Sequence, residues 1–192
     1  MSERILNVDH KRTLEYNGRT FRSDFEVETA KTLDKMGISY EYEARKIILQ
    51  EGFKCDYQKD KVRAITYTPD FQIGNILIEC KGYETPEWKI KKKLLYKYLR
   101  ENEPDTLFYQ IHDCKKQLIT ALDKHWEMLG YYIQTTSKYS KNKPLEIKSF
   151  SSIAEAMHEL RLEGKSVGAI VGSLTGDREY VYQYNWKLIK IE

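Results

Sequence analysis

With 192 residues, the chain fits one ordinary domain, or one domain with a small appendage. Hydrophobic residues at 41%, charged residues at 32%, ten Gly and only four Pro exclude a collagenous or disordered polymer and leave enough apolar side chain for a sizeable core. The net charge of +3 is the small difference between 32 basic and 29 acidic side chains, so partners have to be read from where the charges lie.

Ser23, a favoured N-cap, opens a predicted helix over 23–36 that stops before Gly37. Extended patterns rich in Tyr, Ile, Val and Thr follow at about 38–50 and 62–73, separated by a polar loop near 51–61. The pair Gly74-Asn75 marks a turn before a strand over 76–81. Pro86 suits a first helical turn, and a helix is expected to about Asn102, then a strand at 106–112 and a helix at about 114–129. This order predicts a mixed α/β sheet layered with helices. The polar run QTTSKYSKNKP reads as a linker over 134–144, dividing a domain over 1–133 from a unit over 145–192. In that unit Ser151 and Ser152 can cap a helix that Gly164 ends, Ser166 can cap a second, and a Tyr-rich strand with Trp186 closes it.

The chemistry concentrates in Thr68-Pro69-Asp70-Phe71 and Glu79-Cys80-Lys81-Gly82. If Gly74-Asn75 forms a two-residue hairpin turn, Ile73 pairs with Ile76, and counting outward places Asp70 opposite Glu79. Opposed side chains have Cβ atoms about 5 Å apart, where two carboxylates repel unless a cation lies between them. A hard divalent ion with oxygen ligands, Mg²⁺ above all, meets that need. Strand alternation puts Lys81 on the face of Glu79 and turns Ile76, Ile78 and Cys80 the other way. On helix 23–36, Glu26 falls within the apolar face defined by Phe25, Ala30, Leu33 and Met36, where a lone carboxylate requires a partner. Spacing alone leaves two competing readings open: a buried ion pair for Glu26, and a solvated hairpin face with a surface salt bridge for Asp70, Glu79 and Lys81.

The blocks SDFE, GISYEYE, TYTPDF and ILIECKG, with a Lys-rich helix after them, resemble the PD-(D/E)xK nuclease superfamily, in particular the bacteriophage endonuclease I type of Holliday-junction resolvase. The similarity spans about 21–102. It implies a restriction-endonuclease-like mixed sheet flanked by helices, and an active site of Glu26, Asp70, Glu79 and Lys81. Asp70, Glu79 and the backbone carbonyl of Cys80 are then expected to hold Mg²⁺, with Mn²⁺ as a substitute, and Glu26 a second ion or a water on the first. The implied reaction is metal-dependent phosphodiester hydrolysis in DNA, duplex or branched. The resemblance further implies a homodimer with exchanged strands, in which Glu26 acts in its own or the partner's site.

Lys89, Lys93, Lys97 and Arg100 cluster on one side of helix 86–102, opposite Trp88, Ile90, Leu94, Leu95, Tyr98 and Leu99; such a row can track phosphates. A merely solvated amphipathic helix is the competing reading, and Trp88 is assigned to the core. The tail, with IKSFSSIAEAMHEL, KSVGAIVGSLTG and YNWKLIKI, resembles the NUMOD-type DNA-binding modules of phage homing nucleases. That resemblance implies a small helix-turn-helix-like module with Lys165, Ser166 and Ser173 near DNA and Arg178 and Lys187 on its flanks; a plain packing unit competes with it. His112, next to Asp113 at a strand end, is assigned to packing or polar satisfaction.

Cys55, Cys80 and Cys114 are an odd number, widely spaced, without CxxC, which supports neither a disulfide framework nor a structural zinc. No apolar run approaches the roughly 18 residues of a membrane span, and MSERILNVDHKR lacks a signal peptide's apolar block, so a cytoplasmic protein is expected, in the host cell if phage-encoded. The sum is a Mg²⁺-dependent, phage-type DNA endonuclease, homing-type or junction-resolving. A non-catalytic DNA-binding or regulatory protein on the same scaffold is the rival, and intact Asp70, Glu79 and Lys81 weigh against it.

Overall fold

The computed structural model describes residues 14–139 and 144–191. Strands β1 (Leu14–Tyr16) and β2 (Arg19–Phe21) form a hairpin on Asn17-Gly18, whose φ angles of +49° and +73° suit the two central positions of a tight turn. Helix α1 (Asp24–Lys35) starts at Ser23, whose Oγ accepts the Glu26 N–H at 3.2 Å, and it ends at Met36 ahead of Gly37 at φ +67°. Then come β3 (Glu41–Tyr42), β4 (Ile47–Gln50), β5 (Ile65–Tyr67), β6 (Phe71–Ile73), β7 (Ile76–Cys80), α2 (Pro86–Asn102), β8 (Leu107–Ile111) and α3 (Lys116–Leu122). The chain closes with β9 (Tyr131–Ser137), β10 (Ile147–Phe150), α4 (Ile153–Glu159), α5 (Val167–Leu174) and β11 (Tyr184–Lys190). The architecture is mixed α/β.

The central sheet has the order β3-β6-β7-β8, antiparallel except for the parallel pair β7–β8, which α2 connects. Its strand β7 is covered on both faces. Ile76 and Ile78 join a large core with Phe21, Leu33 and Phe71, while Leu77 joins a smaller one with Trp88, Leu95 and Leu99 of α2. Each fully buried aliphatic side chain of this kind contributes about 1.5–3 kcal/mol. The ribbon β4–β5 stands apart from the central sheet, and Ile47 and Tyr67, with half-buried Leu49 beside them, tie it to the core beneath α2.

Three expectations are corrected. The extended runs at 38–50 and 62–73 are not continuous strands: Glu43, at φ +46°, turns the chain between β3 and β4, and β4–β5 leaves the sheet. The helix expected over 114–129 stops at Leu122 and tightens into a 3-10 turn over Asp123–His125, because the Asp123 carboxylate takes the Trp126 indole N–H at 2.9 Å and the Ile153 N–H at 2.7 Å. Residues 134–137 are strand rather than linker: β9 is the middle strand of an antiparallel sheet of order β10-β9-β11. Polar side chains hid it, yet Ile133 and Thr135 alternate into the core. The large core runs without a break from Phe21 through Trp126 to Trp186. Residues 140–143 of the expected linker lie outside the described residues.

Candidate active site

The β6–β7 hairpin turns at Gly74, φ +57°, with Ile73 paired to Ile76 and Phe71 to Ile78. Asp70 sits one residue before the ladder begins, in a bend. It is fixed on two sides: its carbonyl accepts the Glu43 N–H at 3.0 Å, and its Oδ2 accepts the Cys80 N–H at 2.7 Å. The expected cross-strand pair is therefore a carboxylate bonded to the backbone just beyond Glu79. Glu79, 4% exposed, accepts the Tyr67 hydroxyl on Oε2 at 2.7 Å and the Lys81 ammonium on Oε1 at 2.9 Å. Lys81 also lies over the Trp88 ring, 4.7 Å from its centroid.

Glu26, Asp70, Glu79 and Lys81 line one cleft of about 450 Å³ at the carboxyl end of β7, together with Cys80 and Trp88. Glu26 faces inward as its helical position requires and is 7% exposed. Its partners are neutral donors rather than the basic residue of the competing reading: Tyr42 Oη at 2.6 Å, the Arg22 N–H at 2.9 Å and Ser23 Oγ at 2.9 Å.

Burial, and next the charge of Glu79, push the Asp70 carboxyl up to about 8, against the opposing pull of the Cys80 N–H. Burial and the Glu79 charge raise the Tyr67 phenol, and burial with the Glu26 bond raises that of Tyr42, so both hydroxyls remain donors. Burial likewise raises the Cys80 thiol, which touches Thr29 Oγ1 at 3.4 Å on the other face of β7.

This donor set fits a hard cation. Two carboxylates share a poorly solvated cleft in which one is driven toward its protonated form, and a divalent ion with oxygen ligands relieves that repulsion. Asp70 Oδ1 accepts no hydrogen bond among the described residues, whereas Glu26 already accepts three, two on Oε2 and one on Oε1. Among the described residues no three His, Cys, Asp or Glu side chains form a ready-made cage, so the fit is to a two-carboxylate seat.

Sequence reasoning missed Tyr67, Gln110 and Lys91. Tyr67 is three residues from Asp70 but reaches Glu79 only because β5 folds back under α2. Gln110 pairs with Glu79 across the parallel ladder and accepts the Trp88 Nε1–H at 2.9 Å. Lys91 lines the cleft half-buried, with no acidic partner among the described residues. Its spacing of three from Trp88 is the signal that places it there.

On α2, Lys89, Lys93, Lys97 and Arg100 are all exposed, Arg100 against Glu101 at 3.2 Å. Ile90, expected on the apolar face, is 62% exposed; the buried stripe is Trp88, Leu95 and Leu99. In the tail, Lys165, Arg178 and Lys187 are exposed, and Ser166 occupies the N-cap position of α5 without a side-chain capping bond. Ser173 is corrected: it is 6% exposed, and its Oγ accepts the Trp186 N–H at 3.2 Å, which removes it from any DNA-facing surface. Gly168 is exposed on α5 and offers no side chain to a base edge, while Gly172 is half-buried beneath the Arg178 side chain. His112 is exposed, not packed, and meets the Gln110 side chain at 3.0 Å.

Residues 9–115, more than half of the chain, match the family model described as Protein of unknown function (DUF1064). The chain belongs to that family. No curated protein and no solved structure matches it. The DUF1064 segment ends one residue before α3 and contains every residue named in the cleft; β9, β10, β11, α4 and α5 lie beyond it.

Proposed function

We propose that this DUF1064 protein is a divalent-cation-dependent endonuclease that hydrolyses phosphodiester bonds in DNA on a restriction-endonuclease-like core. The convergence of Glu26, Asp70, Glu79 and Lys81 on one cleft supports the reading most directly, because α1, the bend before β6 and the end of β7 each deliver part of the set. Asp70, Glu79 and the Cys80 carbonyl would hold Mg²⁺, or Mn²⁺ in its place. Such an ion polarises the scissile phosphate and makes water a better nucleophile at neutral pH. Lys81 orients the attacking water and offsets charge that develops on the phosphate, a role suited to an ammonium already held by a carboxylate. Glu26 keeps the start of α1 and Tyr42 in place along the cleft wall, and a water-mediated contact to the ion is its remaining chemical role.

Lys89, Lys93, Lys97 and Arg100 carry the DNA backbone toward the cleft, and Lys165, Arg178 and Lys187 add phosphate contacts from the tail. An exposed Gly168 where a base-reading side chain would stand on α5 favours recognition of DNA shape, and hence junction resolution over sequence-specific homing. A homodimer belongs to the same proposal.

The test is cleavage of a four-way junction beside a random linear duplex, with Mg²⁺ and with EDTA, using Asp70→Asn as control. The expected result is Mg²⁺-dependent cutting of the junction that Asp70→Asn abolishes. Cleavage that persists unchanged in Asp70→Asn removes these residues from the reaction. Absence of cutting together with no Mg²⁺ or Mn²⁺ binding by titration calorimetry returns the protein to the non-catalytic DNA-binding class.

A further inference from the structure

Lys81 is tethered on two sides. Its Nζ donates to Glu79 Oε1 at 2.9 Å, and the same ammonium stands 4.7 Å from the centroid of the Trp88 ring. The indole is itself locked. It is 5% exposed, its Nε1–H donates to Gln110 Oε1 at 2.9 Å, and its ring packs against Tyr67 and Phe108 at centroid distances of 5.5 and 6.3 Å. Gln110 is held in turn by the Lys92 ammonium at 3.0 Å, and Lys92 is paired with Glu84. Tyr67, the ring in contact with Trp88, donates to the other oxygen of Glu79. Two touching aromatic rings therefore fix the two ends of the Glu79–Lys81 pair.

We infer that Trp88 is a positioning residue: its ring face holds the Lys81 ammonium at the mouth of the cleft and keeps it from collapsing onto Glu79 alone. The inference rests on the endonuclease reading for its catalytic consequence. A lysine is a flexible four-carbon stem with three rotatable donors, and one carboxylate contact leaves its head free to swing about that contact. A ring face gives a second, non-directional attraction that neither consumes a donor nor neutralises the charge. Two N–H donors of Lys81 then remain for water or phosphate, which a second carboxylate partner would have taken. The indole is the strongest of the aromatic faces for this purpose, and its N–H anchor to β8 sets the ring plane. Trp88 does not touch the reacting atoms in this arrangement; it acts through Lys81.

The experiment compares full-length wild type with Trp88→Phe and Trp88→Leu, using ¹⁵N- and ¹³C-labelled lysine. Signals of residue 81 are assigned by their loss in Lys81→Gln. A ring above the ammonium shifts the Lys81 ε-methylene protons upfield, so the wild type is expected to show that shift, Trp88→Phe to retain most of it, and Trp88→Leu to lose it. Turnover on the four-way junction is expected to fall roughly tenfold in kcat for Trp88→Leu with KM within about twofold, and to recover largely in Trp88→Phe. A wild-type Lys81 signal without an upfield shift overturns the contact, whatever the assay reads. A shift present in wild type but an unchanged kcat in Trp88→Leu overturns the positioning role. If the shift behaves as expected and the wild type cleaves no DNA, the contact stands, the endonuclease reading fails, and the catalytic consequence falls with it. Trp88→Phe keeps a ring on the same wall, so the comparison holds even where Trp88→Leu fails to fold.

Discussion

Tyr67 donates its hydroxyl to Glu79 at 2.7 Å, so a residue of the β4–β5 ribbon orients a carboxylate of the central sheet. The ribbon thereby becomes part of the cleft rather than an excursion beside it. Tyr67→Phe removes one donor and leaves the buried Glu79 Oε2 unpaired, which is expected to lower unfolding free energy by about 1–2 kcal/mol. Chemical denaturation measures this, and a change below about 0.3 kcal/mol would show that the bond is replaced by water.

Asp70 predicts a pH dependence in the metal-free protein. Its folded carboxyl titrates at about 8, far above the ordinary range near 4, so folding binds a proton between those limits. The sign follows: the penalty is absent below about pH 4, grows as pH rises, and is complete above pH 8. Asp70→Asn should therefore raise the melting temperature in EDTA at pH 9, with a gain on the order of 2 kcal/mol, and change it little at pH 4.5. Equal shifts at both pH values would sink the argument.

Glu26 and Ser23 cap α1 reciprocally, and Tyr42 adds a third bond. Ser23→Ala is expected to cost about 1 kcal/mol. Glu26→Ala should cost more, about 2 kcal/mol, since it strands the half-buried Tyr42 hydroxyl as well as the Arg22 N–H. Thermal melts of the two variants check the order, and Ser23→Ala as the more damaging change would contradict it.

Lys91 is the cation of the cleft without an acidic partner among the described residues. Lys91→Gln should weaken binding of a catalytically silenced protein to DNA of any sequence and lower the slope of log affinity against log salt by about one. An unchanged slope, measured by anisotropy between low and moderate salt, would mean that Lys91 touches no phosphate.

Removal of residues 145–192 should not yield a working core. The cut strips both partners from β9 and uncovers Ile133, which pairs with Phe150 and Leu188 across the two ladders, and it removes Ile153 and Trp186 from the large core. An insoluble or molten product is expected by circular dichroism and dye binding. A well-folded truncated protein would show that the two halves of that core are separable.

Much of this was legible locally. Ser23, Gly37, Pro86 and Ser152 act at the helix ends where cap chemistry puts them, Ser166 holds the N-cap position of α5 without a side-chain capping bond, and the Gly74-Asn75 turn fixed the register that brings Glu79 and Lys81 to one face. What escaped depends on contacts far apart in the chain. Tyr67 and Gln110 become neighbours of Glu79 only after β5 and β8 are in place, and no local pattern marks them. The strand β9 was hidden by its own composition, because Gln134, Thr135, Thr136 and Ser137 read as a turn-rich run until two flanking strands satisfy their backbone. Ser173 misled in the opposite way: a small polar residue on a helix suggests a surface, but its hydroxyl serves the Trp186 amide inside.

The double coverage of β7 makes its phase unforgiving. Inserting a single residue within β7, between Leu77 and Ile78, would turn everything after it to the opposite face, driving Glu79 and Lys81 under α1 and bringing Ile78 and Cys80 out into the opening. Lengths of the outer loops are free to drift without such a penalty. Spacing along β7 is not, so within this strand an even-numbered change is the smallest indel that preserves which side chains face the cleft and which face the core.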